Sequence, residues 1–135
     1  MKILIICTGN SARSQIAEGF FKHYKKGWEI YSAGISPKGL NPLATEVMLE
    51  KRIDISNQTS DGIDKYINDE FDYVITVCDK AKETCPVFLN AKISLHWGFT
   101  DPADAIGTYE KKINKFRDIR NQIEEKIIQF LKEFK

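Results

Sequence analysis

Short apolar blocks separated by polar segments run along the whole chain. Residues 2–7 form a nearly continuous apolar run that ends at Cys7, which is typical of a strand covered on both faces. Similar short runs at 28–33, 71–77 and 93–97 predict three further strands, the first of them ended by Gly34.

The segments between these runs show the spacing of amphipathic helices. We predict a helix over residues 14–26, a second from Pro42 to about Arg52 with Asn41 as its N-cap, and a short one over 60–68. A long final helix over 107–133 has its apolar positions at helical spacing. These positions are Tyr109, Ile113, Phe116, Ile123, Ile127, Phe130, Leu131 and Phe134.

Strands that alternate with helices indicate a parallel sheet with right-handed crossovers. We therefore predict an α/β fold, a doubly wound four-stranded parallel sheet flanked by helices, as a single domain over residues 1–135. In such folds the ligand lies beyond the carboxyl ends of the strands. Cys7, Cys78 and Asp101 each follow or close a predicted strand, so we expect them at one edge.

The composition of the chain limits the kinds of partner that we expect it to bind. The chain is 42% hydrophobic and 29% charged, with a net charge of +1 and no basic stripe, so we expect no nucleic-acid partner. No apolar stretch is long enough to span a bilayer, and the short run at the start lacks a cleavage site. We expect a cytoplasmic protein that does not bind membranes. Its 3 cysteines, an odd count, argue against a disulfide framework.

The segment from Cys7 to Arg13 has the composition of an oxyanion-binding loop. It lies between a strand and a helix, where backbone N–H groups can form a nest and the helix dipole adds positive charge. Arg13 can hold an anion with its bidentate fork, while this field favours the thiolate of Cys7. Ser14 can donate a hydrogen bond to that thiolate. The binding residues would be Thr8, Gly9, Asn10, Ser11, Ala12 and Arg13.

Gly9 permits close approach of the backbone, and Asn10 tolerates a left-handed conformation. The alternative is a buried thiol at a strand end with Arg13 on the surface. No Gly-Lys-Ser/Thr sequence follows the strand, so a nucleotide-binding loop is disfavoured.

Displacement at a tetrahedral centre needs a general acid opposite the nucleophile. Asp101 can supply it, because Pro102 makes the following turn rigid. Asp-Pro is also a common start of an ordinary turn, and that alternative stays open.

Hydrolysis through Cys7 needs no other cysteine, yet Cys78 and Cys85 follow the third predicted strand, seven residues apart. Cys78 could be a core thiol and Cys85 an incidental surface cysteine. A zinc site is disfavoured, because the short paired spacings of structural zinc sites are missing. A pair of redox-active thiols is a further interpretation.

The segment Cys7–Ser14 resembles the active-site loop of low-molecular-weight protein tyrosine phosphatases, and more closely that of the thioredoxin-coupled arsenate reductases, which share their fold. Ala103 follows Pro102, where those phosphatases have an aromatic residue, and the three cysteines match the reductases in order and spacing. The similarity extends to Tyr31–Gly34, Asn41–Pro42, Asp54–Ser56, Thr59–Asp61 and His96–Ala103. Asp104 replaces a frequent glycine, and Ala12 replaces a frequent extra cysteine.

The resemblance implies reduction of arsenate to arsenite, with phosphate or sulfate as competing anions. Cys7 would attack arsenic, Asp101 would protonate the leaving oxygen, and Cys78 would form a transient disulfide with Cys7. Cys85 would then form the Cys78–Cys85 disulfide, which thioredoxin reduces. No cofactor is required, although some relatives bind potassium at positions matching Asn10, Glu18, Ser32 and Asp61. Here these residues could simply brace the loop. A monomer is expected.

Two other functions remain open at this stage. The chain could be a low-molecular-weight protein tyrosine phosphatase that uses Cys7, Arg13 and Asp101. It could also be a non-catalytic module that senses oxyanions or redox state through a Cys78–Cys85 disulfide.

Overall fold

Helices and strands alternate along the chain, as expected for an α/β fold. The structure, a computed structural model, describes residues 1–77 and 91–134. Their regular elements are β1 Lys2–Cys7, α1 Arg13–Tyr24, β2 Glu29–Gly34, α2 Pro42–Leu49, β3 Phe71–Thr76, β4 Ala91–His96 and α3 Tyr109–Leu131. Two short 3-10 turns cover Ile63–Tyr66 and Pro102–Asp104. The predicted redox thiols Cys78 and Cys85 lie outside the described residues.

The four strands form one parallel sheet in the order β2-β1-β3-β4. β2 lies on one side of β1, and β3 and β4 lie on the other side. The order in which strands are added to the sheet therefore reverses at β1. This is the switch point at which open α/β sheets bind ligands. Cys7 ends β1 there and pairs with Gly34 of β2. The predicted four-stranded parallel α/β fold is confirmed.

The core explains why β1 is so apolar. Ile3, Leu4, Ile5 and Ile6 are fully buried, each of them stabilising the fold by about 1.5–3 kcal/mol. Helix α1 packs on β1, β2 and α3, while α2 packs on α1 and α3. Since α1 begins directly after the loop that follows β1, packing of both elements fixes the two ends of that loop.

Two predicted helices are shorter than expected. The second ends at Leu49 rather than Arg52, because Arg52 adopts a left-handed φ of 62° that ends helical geometry. The predicted helix over 60–68 is only the 3-10 turn Ile63–Tyr66. Residues 60–62 are not helical: the carbonyl of Asp61 accepts a hydrogen bond from the backbone N–H of Gly34, and Gly62 is extended.

Helix α3 follows the predicted spacing with one exception. Its buried apolar positions are Ile113, Phe116, Ile119, Ile123 and Ile127. Tyr109 was expected on this face but is 53% exposed, and its hydroxyl donates a hydrogen bond to Glu46. Among the described residues, no helix combines the length and apolar character needed to cross a membrane.

Candidate active site

The thiol of Cys7 lies at the carboxyl end of β1 and is 2% exposed. Its Sγ is 2.8 Å from the hydroxyl oxygen of Ser14, and the backbone N–H of Asn10 donates to it over 3.2 Å. Both contacts can stabilise a thiolate, because both groups can donate a hydrogen bond to sulfur. The expected contact between Ser14 and Cys7 is therefore present.

The loop over residues 8–12 turns its carbonyl groups away from the cleft. The carbonyls of Thr8, Gly9 and Ser11 accept hydrogen bonds of 2.9–3.0 Å from backbone N–H groups in residues 36–41. The carbonyl of Asn10 accepts from Gln15 and Ser60. With the carbonyls bonded outside, the loop can direct N–H groups inward, as an anion nest requires.

Asn10 holds the centre of the loop in a strained conformation. Its φ is 43°, the left-handed conformation that the sequence indicated for this residue. The fully buried side chain of Asn10 donates to Ser14 and Ser32 and accepts from the backbone of Asp61. Three separate segments thus fix this one side chain.

Gly34 of β2 approaches the same loop too closely for any side chain. A Cβ atom at this position would lie 2.7 Å from the backbone nitrogen of Asn10 and 2.9 Å from the carbonyl oxygen of Thr8. Glycine is required here because of this contact and not because of an unusual φ.

Arg13 begins α1 and is 9% exposed. Its Nη1 donates to the carbonyl of Phe99 over 3.2 Å, and its Nη2 lies 3.3 Å from Oδ2 of Asp101. No side chain among the described residues caps the first turn of α1, and that turn contains no acidic residue. Both the guanidinium and the helix dipole can therefore act on an anion in the cleft.

Asp101 is held at the opposite wall by the turn that follows it. Its Oδ1 accepts the backbone N–H of Ala103 over 2.9 Å, while its side chain is 31% exposed. Pro102 is buried and begins the 3-10 turn. The carboxyl thus faces both Arg13 and solvent.

Cys7, Arg13 and Asp101 line a cleft of about 570 Å³, whereas the buried Asn10 and Ser14 lie behind its surface. Its lining comprises Cys7, Thr8, Gly9, Ser11, Ala12, Arg13, Lys38, Phe99, Thr100, Asp101, Ala103 and Asp104. The structure thus brings the predicted loop and Asp101 together. Sequence reasoning missed Lys38, although it follows β2 at the same edge of the sheet. It also assigned Asp104 no part in the site, yet Asp104 lines the cleft.

The four residues proposed for potassium also lie together. Ser32 donates to Oε1 of Glu18 over 2.5 Å and accepts from Asn10, whose Oδ1 accepts from the backbone of Asp61. Oε2 of Glu18, a residue 6% exposed, lies 2.5 Å from Nζ of Lys22. The oxygen donors suit a hard cation. The ammonium group of Lys22, however, already compensates the charge of Glu18.

The arrangement can perform nucleophilic displacement on a tetrahedral oxyanion. A thiol with hydrogen-bond donors lies at the base of the cleft, a guanidinium lies beside it, and a carboxyl lies at the opposite wall. Cys78 and Cys85 lie outside the described residues, so their roles stay predictions. The catalytic roles of Cys7, Arg13, Ser14 and Asp101 stay predictions as well.

The fold and this cleft define a class of small thiol-dependent phosphatase-like proteins. The family model described as low molecular weight phosphotyrosine protein phosphatase matches residues 2–135. The chain belongs to this family, which confirms the resemblance seen in the sequence.

Several relatives are named arsenate reductases. One from Oceanobacillus iheyensis is 49% identical over 131 residues, which cover 96% of this chain and 94% of the relative. A solved arsenate reductase in the phosphate-binding state superimposes with a TM-score of 0.84 at 32% identity, covering 99% of this chain and 98% of that one. An arsenate reductase in the oxidized state gives a TM-score of 0.85 at 31% identity, with the same coverage.

Proposed function

We propose that this protein is an arsenate reductase. The observation that carries the proposal is the buried thiol of Cys7 at the base of an oxyanion cleft, in a chain 49% identical to a named arsenate reductase. The presence of Cys78 and Cys85 in the sequence supplies the further thiols that a two-electron reduction needs.

In the first step the Cys7 thiolate attacks the arsenic of arsenate and forms a sulfur–arsenic bond. Loop amides and Arg13 hold the oxygens, and Asp101 gives its proton to the departing oxygen, which leaves as water. The contacts of Ser14 and Asn10 with Cys7 Sγ support the thiolate before the attack. The first step changes no oxidation state.

In the second step the Cys78 thiolate attacks Cys7 Sγ. A Cys7–Cys78 disulfide forms, and the electron pair of the sulfur–arsenic bond stays on arsenic, which leaves as arsenite. The Cys85 thiolate then attacks Cys78, which frees Cys7 and leaves the Cys78–Cys85 disulfide. This order is supported by the sequence resemblance, since both residues lie outside the described part of the chain.

Reduced thioredoxin would return the Cys78–Cys85 disulfide to two thiols, so the reaction needs no resident cofactor. A relay that ends on a cellular dithiol belongs in a reducing compartment, and we place the protein in the cytoplasm. Phosphate and sulfate should compete with arsenate for the cleft. The phosphate-binding state of the solved relative supports this expectation.

A second candidate function is phosphomonoester hydrolysis. The family match and the geometry of Cys7, Arg13 and Asp101 favour it, because these groups suffice for a phosphocysteine mechanism. Ala103 weakens it for phosphotyrosine, since an aromatic side chain at this wall would stack on the substrate ring. We expect any phosphatase activity to be weak.

We propose that a potassium ion, if it acts on this enzyme, does so through Glu18, Ser32, Asn10 and Asp61. It would have to displace Lys22 from Oε2 of Glu18. Arsenate turnover in potassium, sodium and choline salts at equal ionic strength tests this. Equal KM and kcat in all three salts would contradict a potassium site. These residues would then only brace the loop through hydrogen bonds.

The test of function is NADPH consumption with arsenate, thioredoxin and thioredoxin reductase, run beside release of nitrophenol from its phosphate ester. We expect sustained turnover with arsenate and slow ester hydrolysis. Cys7→Ser should abolish both, while glutaredoxin should support arsenate turnover less well. Rapid ester hydrolysis with no arsenate turnover would refute the reductase proposal in favour of the phosphatase.

The thiol order is tested by trapping. Cys85→Ser should complete one turnover and then hold a Cys7–Cys78 disulfide, which mass spectrometry can identify after alkylation of free thiols. Cys78→Ser should release no arsenite and stop at an arsenic adduct on Cys7. Repeated turnovers of Cys85→Ser with thioredoxin would contradict the proposed order.

A further inference from the structure

Lys38 lies at the mouth of the oxyanion cleft and has no role in the steps above. It follows β2, is exposed, and lines the same cleft as Cys7 and Arg13. Its ammonium group has no ion pair within residues 1–77 and 91–134. Within the described part of the chain, Lys38 is thus a cation beside an anion-binding loop with no carboxylate paired to it.

The backbone around Lys38 is fixed to the loop. The N–H of Lys38 donates to the carbonyl of Gly9 over 2.9 Å, and the N–H of Gly39 donates to the hydroxyl of Ser60 over 3.1 Å. Ser60 in turn donates to the carbonyl of Asn10 over 2.9 Å. Gly39 itself has a φ of 89°, which turns the chain sharply after Lys38.

The side chain of Lys38 follows the loop as well. Its Cδ would lie 3.4 Å from a Cβ built on Gly9, so the aliphatic stem packs beside the loop at this glycine. Lysine stems commonly cover apolar surface in this way and leave the charged end in solvent. Because Lys38 lines the cleft, its ammonium group can reach an anion bound there.

The charges of the cleft show what this lysine adds. Among the described lining residues, two cations, Arg13 and Lys38, face two carboxylates, Asp101 and Asp104. Asp101 already lies 3.3 Å from the guanidinium of Arg13 and offsets its charge. Without Lys38, Arg13 would be the one cation among these described lining residues, and it already lies beside Asp101. A second cation at the cleft attracts a dianion more strongly than a monoanion.

We propose that Lys38 is a specificity-determining residue that binds the outer oxygens of the oxyanion and favours its dianionic form. The inference deepens the proposed function, because the ligand is the tetrahedral oxyanion of that same cleft. Lys38 takes no part in bond making, so its effect falls on binding rather than on the chemical step.

The test uses inorganic phosphate and needs no turnover. Phosphate in the cleft should protect Cys7 from iodoacetamide, a neutral reagent, and mass spectrometry of the Cys7 peptide gives the Kd. Lys38→Gln should raise this Kd roughly three- to fivefold, Lys38→Glu should raise it further, and Lys38→Arg should restore it. The Lys38→Gln effect should be larger above the second pKa of phosphate than below it.

Lys26→Gln is the matched control. Lys26 is also exposed and follows the far end of α1, so the same charge is lost away from the cleft. We expect its Kd to equal that of the wild type. Since bulk charge would act equally in both variants, an equal rise in Lys26→Gln and Lys38→Gln would overturn the proposal.

Kinetics separate this inference from the proposed function. In the coupled assay, Lys38→Gln should raise the KM for arsenate by the same factor and leave kcat within about twofold. If arsenate supports no turnover in the wild type but Lys38→Gln still weakens phosphate protection, the reductase proposal fails and this one stands. If the wild type turns over arsenate normally but the phosphate Kd of Lys38→Gln is unchanged, the role proposed for Lys38 is wrong and the reductase proposal stands.

Discussion

The two walls of the cleft differ in how firmly they are held. Cys7 is 2% exposed and Asn10 is fully buried, and hydrogen bonds fix both of them. Asp101, on the other wall, is 31% exposed and is held by one backbone N–H and by Arg13. One wall is part of the core, while the other is a three-residue turn on the surface.

This difference fits the two kinds of chemistry. Donors that stabilise a developing charge act best when they are fixed before the reaction and shielded from water. A general acid must instead regain its proton from solvent in every cycle, so partial exposure serves it. A fixed nucleophile and an accessible acid are what the proposed displacement by Cys7 with Asp101 requires.

The largest expected effect is on the exposed wall. Asp101→Asn should slow formation of the Cys7–arsenic adduct by roughly 10²–10⁴-fold, because the leaving oxygen loses its proton donor. Single-turnover mixing with arsenate measures this step. Alkylation of Cys7 by iodoacetamide should change far less. Asp118→Asn, an exposed change of the same charge on α3, is the control, and an equal loss there would remove the acid assignment.

Gly34→Ala should disturb the packing of the fixed wall. Its new Cβ would meet the backbone of Asn10 and Thr8, so the loop must shift, at a cost of about 1–3 kcal/mol in the free energy of unfolding. Urea titration and the rate of Cys7 alkylation report the two consequences. Gly27→Ala is the matched control, since a Cβ there has no neighbour within 4 Å. Equal stability of the two variants would mean that the close contact is not required.

Ser14→Ala tests the same wall at a single atom. It removes the hydroxyl 2.8 Å from Cys7 Sγ, and we expect alkylation of Cys7 at neutral pH to slow roughly tenfold, about 1.5 kcal/mol. Ser36→Ala should leave the rate unchanged, because Ser36 contacts the loop through its backbone N–H. A Ser14→Ala rate equal to that of the wild type would show that the thiolate does not depend on this contact.

The smallest effect is expected far from the cleft, at Glu50 between α2 and α3. Hydrogen bonds from Arg117, and to a lesser degree from Arg120, hold the pKa of Glu50 below its ordinary value of 4.5. Its side chain is 34% exposed, so Glu50→Gln should cost at most about 1 kcal/mol of unfolding free energy.

The pH dependence of that effect has a definite sign. Because folding lowers the pKa of Glu50, its ion pairs stabilise the fold above pH 4.5, and this contribution is lost as the pH falls through the lowered value. Urea titrations of wild type and Glu50→Gln should therefore differ at neutral pH and converge in acid. A constant difference at all pH values would contradict the ionic origin.

Local patterns allowed the sheet and the fixed wall to be predicted. The apolar run of β1 and the contiguous segment from Cys7 to Ser14 each signal their structure within a few residues. Asn41 likewise predicted the start of α2, where its side chain accepts the backbone N–H of Leu43. Such signals depend on neighbours in the chain and not on the tertiary fold.

The remaining features depend on contacts between distant residues. Residues 60–62 are not helical because the backbone of Asp61 bonds to Gly34 and Asn10. Lys38 lines the cleft because its backbone bonds to Gly9, and Tyr109 turns outward to reach Glu46. No periodicity within these segments reveals their partners.

The outward carbonyls of the loop also bear on the order of folding. The first 24 residues contain the complete motif from Cys7 to Ser14, but the donors that hold its carbonyls come from residues 36–41 and from Ser60. We therefore expect the loop, and with it the contacts of Ser14 and Asn10 with Cys7 Sγ, to form only after β2 has paired with β1 and residues 36–41 have docked.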